Sequence, residues 1–557
     1  MNKKKIVTCL VCAALVVTVF AGCGKKNESN SSSSNGKNTF TLFVDGGGYK
    51  PLQLTDTTVG KEITKLTGVT LKCDYLVGSD EKTKAGLMIA SGEYPDLLNG
   101  GNALTDFISA GALVPLDDYI EKYGTNIKKY YGDDLKKLKS PDGHIYTLSP
   151  GRKANTPIYA TSGFNLIADL LKQQGYPKVT ELNDYFDRIE KYVKENPNYN
   201  GKPTIGFAAE TDSTGNYILT NAPAYLAGYP NTGNNIITKG SDGQYTAKNF
   251  YLTNYAHDYF KKLNEEWSKG ILDPDMFTQN QDAFKAKISS GRVVGYYDER
   301  WRLSDSITAL EQQKQYDRIP VSMPVTFAGV TNNSYGGINV TSVQAGVSIT
   351  KSCKDPVAAF KFLDAMCGDE IQKLVEWGQK GTDYEVDSNG KMTKNADQLK
   401  QMDDANYGQT SGIGQFWMFP HPNFGKDSKY ADGNIVSPQD TDAYISTKYK
   451  PYEQDIVKAY NVKSLADLVS APIDSPFGYG WDIQIPDSKQ DVKIAQQNAG
   501  NIAIAYMPKL ITGKTANFES VWSEYSQKMK DAKYDIGNDY ITQQVNQRVK
   551  DWGTASK

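Results

Sequence analysis

An α/β fold with more than one folded unit is the class this sequence predicts, and three observations carry it. Stretches with the alternating apolar and polar residues of a strand are followed by stretches with helical spacing, in repeated succession after residue 39. Short connections rich in Gly and Pro separate them, the punctuation of a mainly parallel sheet covered by helices. The length of 557 residues, 39% hydrophobic and 23% charged, supplies core for two or three units and excludes disorder for the bulk of the chain.

The N-terminus reads as an export signal. Lys3, Lys4 and Lys5 precede an apolar run over 6–20, and Ala21, Gly22 and Cys23 follow before the chain turns polar. A positive start, a hydrophobic stretch and a small-residue cleavage site come in the order such a signal needs. The run falls short of the roughly 20 apolar residues that span a bilayer. Cleavage after residue 22 is therefore the expectation; an uncleaved anchor helix is the other reading, and both place the folded part outside the cytoplasm. Phe20-Ala21-Gly22-Cys23 resembles the lipobox of bacterial lipoproteins, with Phe20 in place of the usual Leu. That resemblance implies a lipid, palmitate, on Cys23 and an anchor to the cell membrane. Residues 23–38, with four successive Ser at 31–34, hold too little apolar surface to fold and read as a flexible tether.

The folded part opens with a strand over 39–44 that ends at Asp45 and three Gly, where the backbone can turn or approach a ligand closely. A helix over 59–66 stops at Gly68, a strand follows over 69–76, a helix over 81–91 stops at Gly92, and Pro95 opens a short strand. In such sheets ligands collect at the carboxyl ends of the strands. Two late helices, about 498–510 and 518–529, are indicated by Gly513 and by the spacing of Val521, Trp522 and Tyr525.

Charge and composition narrow the function. Lys plus Arg number 62 against 64 Asp plus Glu, so no overall field marks a nucleic-acid binder. Tyr, at 36, is nearly twice Phe, at 19. A hydroxylated aromatic can lie half in water and still present an apolar face, which suits a polar, ring-shaped ligand and also an ordinary wet surface. Cys73, Cys353 and Cys367 remain after the signal and the lipidated Cys23 are set aside; an odd number requires no disulfide, and small buried apolar residues is the favoured reading.

Phrases in the middle of the chain carry a family resemblance. Ile89-Ala90-Ser91-Gly92-Glu93-Tyr94-Pro95-Asp96 and Gly111-Ala112-Leu113-Val114-Pro115-Leu116-Asp117-Asp118 look like those of family 1 of the extracellular solute-binding proteins of ABC importers. Asp142-Gly143-His144-Ile145-Tyr146 is similar to that family's turn and strand. The order from Trp267 through Gly270-Ile271-Leu272-Asp273-Pro274 to the Gly291–Gly295 strand, with Pro356 to Leu363 and Gly381-Thr382-Asp383-Tyr384, resembles the longer LipO-like branch. The resemblance implies a two-lobed, type II periplasmic-binding-protein fold with a hinge and a ligand cleft between the lobes. On that basis residues 39–159 begin the first lobe, 160–331 the second, 332–403 return to the first, and 404–557 complete the second with the C-terminal helices.

Candidate ligand residues follow from strand ends and glycine-flanked loops. The strand over 293–297 delivers Asp298, Glu299, Arg300 and Trp301; an indole there can stack on a sugar ring while the charged groups bind hydroxyls. The resemblance implies a stacking aromatic at this same place. Trp417 in Gly412-Ile413-Gly414-Gln415-Phe416-Trp417 and Trp481 in Gly478-Tyr479-Gly480-Trp481 sit on loops, either as platforms in a cleft or as plugs between lobe and hinge. Asp45 can accept hydroxyl hydrogen bonds, and Tyr49 and Tyr229 complete the set.

Other chemistries lack residues. The three His, 144, 257 and 421, have no metal-ligand spacing. The stretch 196–205, where relatives often have a calcium loop, carries no carboxylate and reads as a turn without metal. Thr512-Gly513-Lys514-Thr515 mimics a P-loop end, but Pro508 stands where its first Gly belongs. No cofactor is expected. The expectation is a monomeric, lipid-anchored protein that captures a carbohydrate, an oligosaccharide, and hands it to an ABC permease driven by a cytoplasmic ATPase. A secreted glycoside hydrolase, or the same fold binding a peptide or serving as a sensory lipoprotein, are the rivals.

Overall fold

In the computed structural model, which describes residues 38–553 apart from 46–50, 77–80, 150–157, 212–215, 234, 340–342 and 422–427, two separate sheets organise the chain. The first begins with β1 (Asn38–Val44), α1 (Thr58–Thr67), β2 (Val69–Tyr75), α2 (Glu81–Ser91), β3 (Leu97–Asn99) and β4 (Thr147–Leu148). The chain then crosses to β5 (Ser162–Ile167), α3 (Leu182–Glu195), β6 (Ile205–Phe207), α4 (Asn216–Leu226), α5 (Asn254–Ser268), β7 (Val293–Glu299) and β8 (Pro320–Met323). It returns for β9 (Val347–Ile349), α6 (Pro356–Met366) and α7 (Asp369–Trp377), and ends with α8 (Gln490–Thr512), α9 (Phe518–Asp531) and α10 (Asp535–Trp552).

The first sheet has the order β2-β1-β3-β9-β4 and the second β8-β5-β7-β6. β1 runs parallel to β2 and β3, while β9 is antiparallel to β3 and β4. In the second sheet β7 is parallel to β6, and β5 is antiparallel to both β7 and β8. β1 buries Phe40, Leu42, Phe43 and Val44 while Thr39 and Thr41 face outward, the alternation that its sequence predicts. β5 is buried along its whole length and β7 over all but Glu299, as central strands covered on both faces must be. Thr57 caps α1 by accepting a hydrogen bond from the Gly60 amide at 3.0 Å. A Cβ at Gly60 would lie 2.0 Å from the Leu54 carbonyl oxygen, so only glycine lets this helix close on the turn before it.

Each sheet has its own core. Leu42, Leu71, Leu97, Leu148, Val347, Phe360 and Leu363 fill the first. Phe164, Leu166, Tyr185, Phe186, Phe207, Val294 and Tyr297 fill the second, which the C-terminal helices close with Met507, Leu510, Tyr525 and Met529. α8 starts at residue 490, eight positions before its expected start. It packs through Ala495, Ala499 and Ala503, and small residues at helical spacing give little hydrophobic signal in a sequence. The segment that mimics a P-loop is the end of this helix: the Asn264 amide binds the carbonyls of Leu510, Ile511 and Gly513 at 2.8–3.1 Å.

One boundary moves. The sequence reading sends the chain to the second lobe at residue 404, but Phe416, Met418 and Phe419 are buried in the first core, and Tyr430 and Val436 pack on Trp377 at the end of α7. The residues that join the second core begin later, with Tyr449 and Tyr452 packed against it and Ile456 and Leu465 buried in it. The free thiols Cys73, Cys353 and Cys367 are buried, and all three are unbridged. No helix among the described residues is long and apolar enough to cross a membrane; Cys23 and the tether lie outside them.

Candidate functional site

The crossings define a site before any side chain is considered. β4 leaves the carboxyl edge of the first sheet at Ser149, and the chain enters the second sheet at Ser162, which pairs with Glu299 at the carboxyl end of β7. The return runs from the carboxyl end of β8 to the start of β9, where the Asn99 amide at the end of β3 donates to the Gly346 carbonyl at 2.8 Å. Both crossings therefore join the carboxyl edge of one sheet to the carboxyl edge of the other. The two edges are the walls of the region between the lobes, where α/β sheets gather ligands.

On the second wall, β7 ends in a helical turn, Arg300–Leu303, that carries Trp301 outward with 64% of its surface exposed. What fixes this turn lies beneath it. Arg302 bonds Asp298 Oδ1 through Nε at 3.0 Å and pairs through its other end with Glu210, which follows the parallel strand β6. Asp298 and Glu210 are both buried, so one guanidinium ties the ends of two neighbouring strands to the turn bearing Trp301. Asp298 thus sits under the wall. Burial pushes its carboxyl up to about 7 against the pull of Arg302.

Glu299 stands at the lip, half-buried. Burial first, and the neighbouring Asp298 second, push its carboxyl up to about 8, so near neutral pH it can donate as well as accept a hydrogen bond. Tyr225 of α4 lies in its field, bonded to the Ser162 hydroxyl and stacked on Tyr335 at 4.9 Å. Tyr479 is also close to Tyr225, and it stacks face to face on Trp481 at 4.1 Å and 14°, leaving Trp481 43% exposed. The glycine-rich loop thus presents a two-ring platform beside the end of β7.

On the first wall, Asp45 directly follows β1 and shares a hydrogen bond with Glu81 at the start of α2. Burial, then this partner, push the Asp45 carboxyl up to about 8. Glu81 in turn accepts from the Ala103 amide at 2.9 Å and the Asn102 side chain at 2.8 Å. Trp417 is half-buried against the first core. Its segment starts where Gly412 meets the Thr57 hydroxyl and reaches His421, whose backbone bonds Tyr131; the Tyr131 hydroxyl donates to the Ser149 carbonyl at the end of β4. That path runs along the carboxyl edge, so Trp417 lies at the wall with one side in the core.

Two predicted residues, Arg300 and Tyr229, have aromatic partners of their own. The Arg300 guanidinium lies 3.5 Å over the Tyr159 ring, and the Tyr159 hydroxyl bonds Glu453. These groups weld the 158–161 crossing to the segment around 449–453, where Tyr449 donates to the Ile158 carbonyl at 2.8 Å. Tyr229 packs with Tyr255 and Phe250 in a satellite cluster. Tyr49 lies outside the described residues. The stretch 196–205 is a tight hairpin, Asn198–Tyr199 against Lys202–Pro203, turned by Asn200 and Gly201 in the left-handed region. Among the described residues, no group of three or more His, Cys, Asp or Glu is placed to share an ion.

Glu81, Tyr225, Tyr479 and Arg302 escaped the sequence reading. Arg302 was the most accessible, four residues after Asp298; Glu210 and Glu81 come from distant segments and leave no local signal. Together the walls offer exposed aromatic faces and carboxyls held near neutrality, a set that stacks on apolar ring faces and hydrogen-bonds hydroxyls.

Comparisons with known proteins bear on the family and the fold. Residues 58–382 match the family described as bacterial extracellular solute-binding protein. The fructooligosaccharide ABC transporter substrate-binding protein FusA of Streptococcus pneumoniae is 23% identical over 579 residues, covering 97% of each chain. Lipoprotein LipO of Bacillus subtilis is 24% identical over 388 residues, 67% of this chain and 72% of its own. Among solved structures, an HMO-binding, ABC-transporter-associated solute-binding protein of Bifidobacterium longum infantis superposes with a TM-score of 0.67 at 15% identity, covering 92% of this chain and 99% of that one.

Proposed function

This chain belongs to the bacterial extracellular solute-binding proteins, and from that premise we propose that it captures a carbohydrate, an oligosaccharide, between its two lobes and delivers it to an ABC importer. The observation that carries the reading is the pairing, on one wall, of two outward aromatic faces, Trp301 and the Tyr479–Trp481 stack, with the half-buried Glu299 between strand end and loop. Sugar rings stack on the aromatics, and Glu299, with Asp45 and Trp417 across the cleft, encloses the hydroxyls and the remaining ring face. The segments that join the two sheets form the hinge, and Arg300, stacked on Tyr159 at the entry to the second sheet, holds it instead of touching the ligand. Closure is a population shift toward the form in which both walls contact the sugar. That form engages the membrane permease, and a cytoplasmic ATPase supplies the energy. The protein acts as a monomer held at the outer face of the cell membrane by a lipid on Cys23. The sugar content of the relatives' names supports this ligand class: fructooligosaccharide for FusA and HMO for the Bifidobacterium protein.

The chain carries its ligand without altering it. Hydrolysis of a glycosidic bond needs two carboxyls about 5–9.5 Å apart. Asp45 and Glu81 are instead hydrogen-bonded to each other, and Asp298 and Glu210 are joined through Arg302, which supports a carrier. The test is a titration of the mature protein against panels of oligosaccharides and peptides, followed by Trp fluorescence. A saturable change at one ligand per chain with an oligosaccharide, and none with peptides, is the expected result. Saturation by a peptide with no response to any sugar would replace the ligand class.

A further inference from the structure

The Tyr479–Trp481 platform sits on a single helical turn, Gly480–Asp482, flanked by Phe477 and Ile483, which are buried against Ile237 and Ala247. The Tyr479 hydroxyl donates to the Ile338 carbonyl at 3.2 Å, and the two rings are held 4.1 Å apart. Three of the loop's backbone carbonyls are held from the last helix. Arg548 of α10 donates from Nη1 to the carbonyls of Phe477 and Tyr479, both at 3.1 Å, and from Nη2 to the carbonyl of Asp482 at 3.0 Å. Its guanidinium lies 4.8 Å over the Trp552 ring. Burial lowers its pKa to about 10, partly offset by Asp482, and a guanidinium keeps its charge there. Gly478 adopts φ +66°, and a Cβ there would come within 3.3 Å of the Trp552 ring. On the opposite side, Cβ atoms at Gly480 and Gly233 would meet the Thr232 carbonyl at 2.2 Å and the Trp481 amide at 2.7 Å. The loop is therefore clamped between α10 and residues 231–233, and the planar fork of Arg548 spans both ends of the turn that presents Trp481.

We propose that Arg548 is the positioning residue for the Trp481 platform, setting the angle at which the indole meets a sugar ring without touching the ligand. The proposal rests on the reading of Trp481 as a stacking surface. A lysine has a compact ammonium that cannot span three carbonyls in the fixed geometry of a guanidinium, so Arg548→Lys keeps the charge and loses the clamp. Gly478→Ala disturbs the same loop from another position, through its strained φ and the Trp552 ring.

The test combines 19F NMR of 5-fluorotryptophan-labelled protein with calorimetric titration of the best oligosaccharide. The Trp481 resonance is identified by its loss in Trp481→Ala. In the parent it is expected to be single and sharp; in Arg548→Lys and Gly478→Ala it splits or broadens while a cooperative melt shows that the protein is still folded. Arg548→Lys is expected to weaken binding by about 5- to 10-fold, and by less than about twofold when made in Trp481→Ala. An unchanged Trp481 resonance in Arg548→Lys, or the same loss of affinity with and without Trp481, overturns the proposal. If Trp481→Ala binds like the parent while the resonance still responds to Arg548→Lys, the clamp stands as a property of the loop and the stacking role of Trp481 falls.

Discussion

Replacing Trp301 with Ala is expected to weaken binding of the best oligosaccharide by about 10- to 30-fold, roughly 1.4–2 kcal/mol, while the melting temperature stays within about 1 °C of the parent. The reasoning is local. With 64% of its surface exposed, the indole contributes little to either core, and the Arg302 guanidinium lies 6.0 Å from its ring centre. What is lost is the flat apolar surface at the end of β7. Trp301→Phe keeps part of that surface and should fall between the two. Calorimetric titration beside thermal melts checks this. A Trp301→Ala variant that binds like the parent would remove Trp301 from the site.

Arg302→Met is expected to be the more damaging change, and to act through stability. It leaves Asp298 and Glu210, both buried, without the guanidinium that joins them. Breaking a buried ion pair from one side costs about 3–5 kcal/mol. The pH dependence has a definite sign. The Asp298 carboxyl is already pushed up by burial to about 7 with Arg302 pulling it down, so losing Arg302 raises it further. A carboxyl whose folded pKa lies above its unfolded value binds more protons in the folded state, and stability is lost as the pH rises through the folded pKa. The variant should therefore melt closest to the parent at pH 5 and fall away between pH 6 and 8. Melts across that range decide it, and a variant with the parent's melting temperature at pH 8 would show that the triad does not hold this turn.

Much of the fold was readable because its signals are local. The alternation of Thr39 to Val44, the stops at Gly68 and Gly92, and the apolar run of β7 each reflect a periodicity or a backbone preference within a few residues. α8 was read short because its buried face is built of Ala495, Ala499 and Ala503. That residues 416–419 pack on the first core is not marked in the sequence, because the burial of Phe416 and Phe419 is a matter of tertiary partners, which glycine-flanked aromatics do not announce. The site shows the same division. Trp301 and Glu299 are at a strand end that a sequence can mark, and Trp481 is on a loop that its glycines mark. The pairing of Asp45 with Glu81, the bond of Arg302 to Glu210, and the commitment of Arg300 to Tyr159 are contacts between segments far apart in the chain. Arg300 shows the difference: its place in the sequence suggests a ligand contact, and its stacking on Tyr159 is a contact that the sequence does not mark.

Small-angle X-ray scattering of the protein with and without a saturating oligosaccharide, followed by chromatography of the sugar released on denaturation, tests the central claim most directly. The account predicts a smaller radius of gyration in the complex and an oligosaccharide recovered intact at one per chain. An unchanged radius at saturation, or recovery of shortened sugars with new reducing ends, would contradict it.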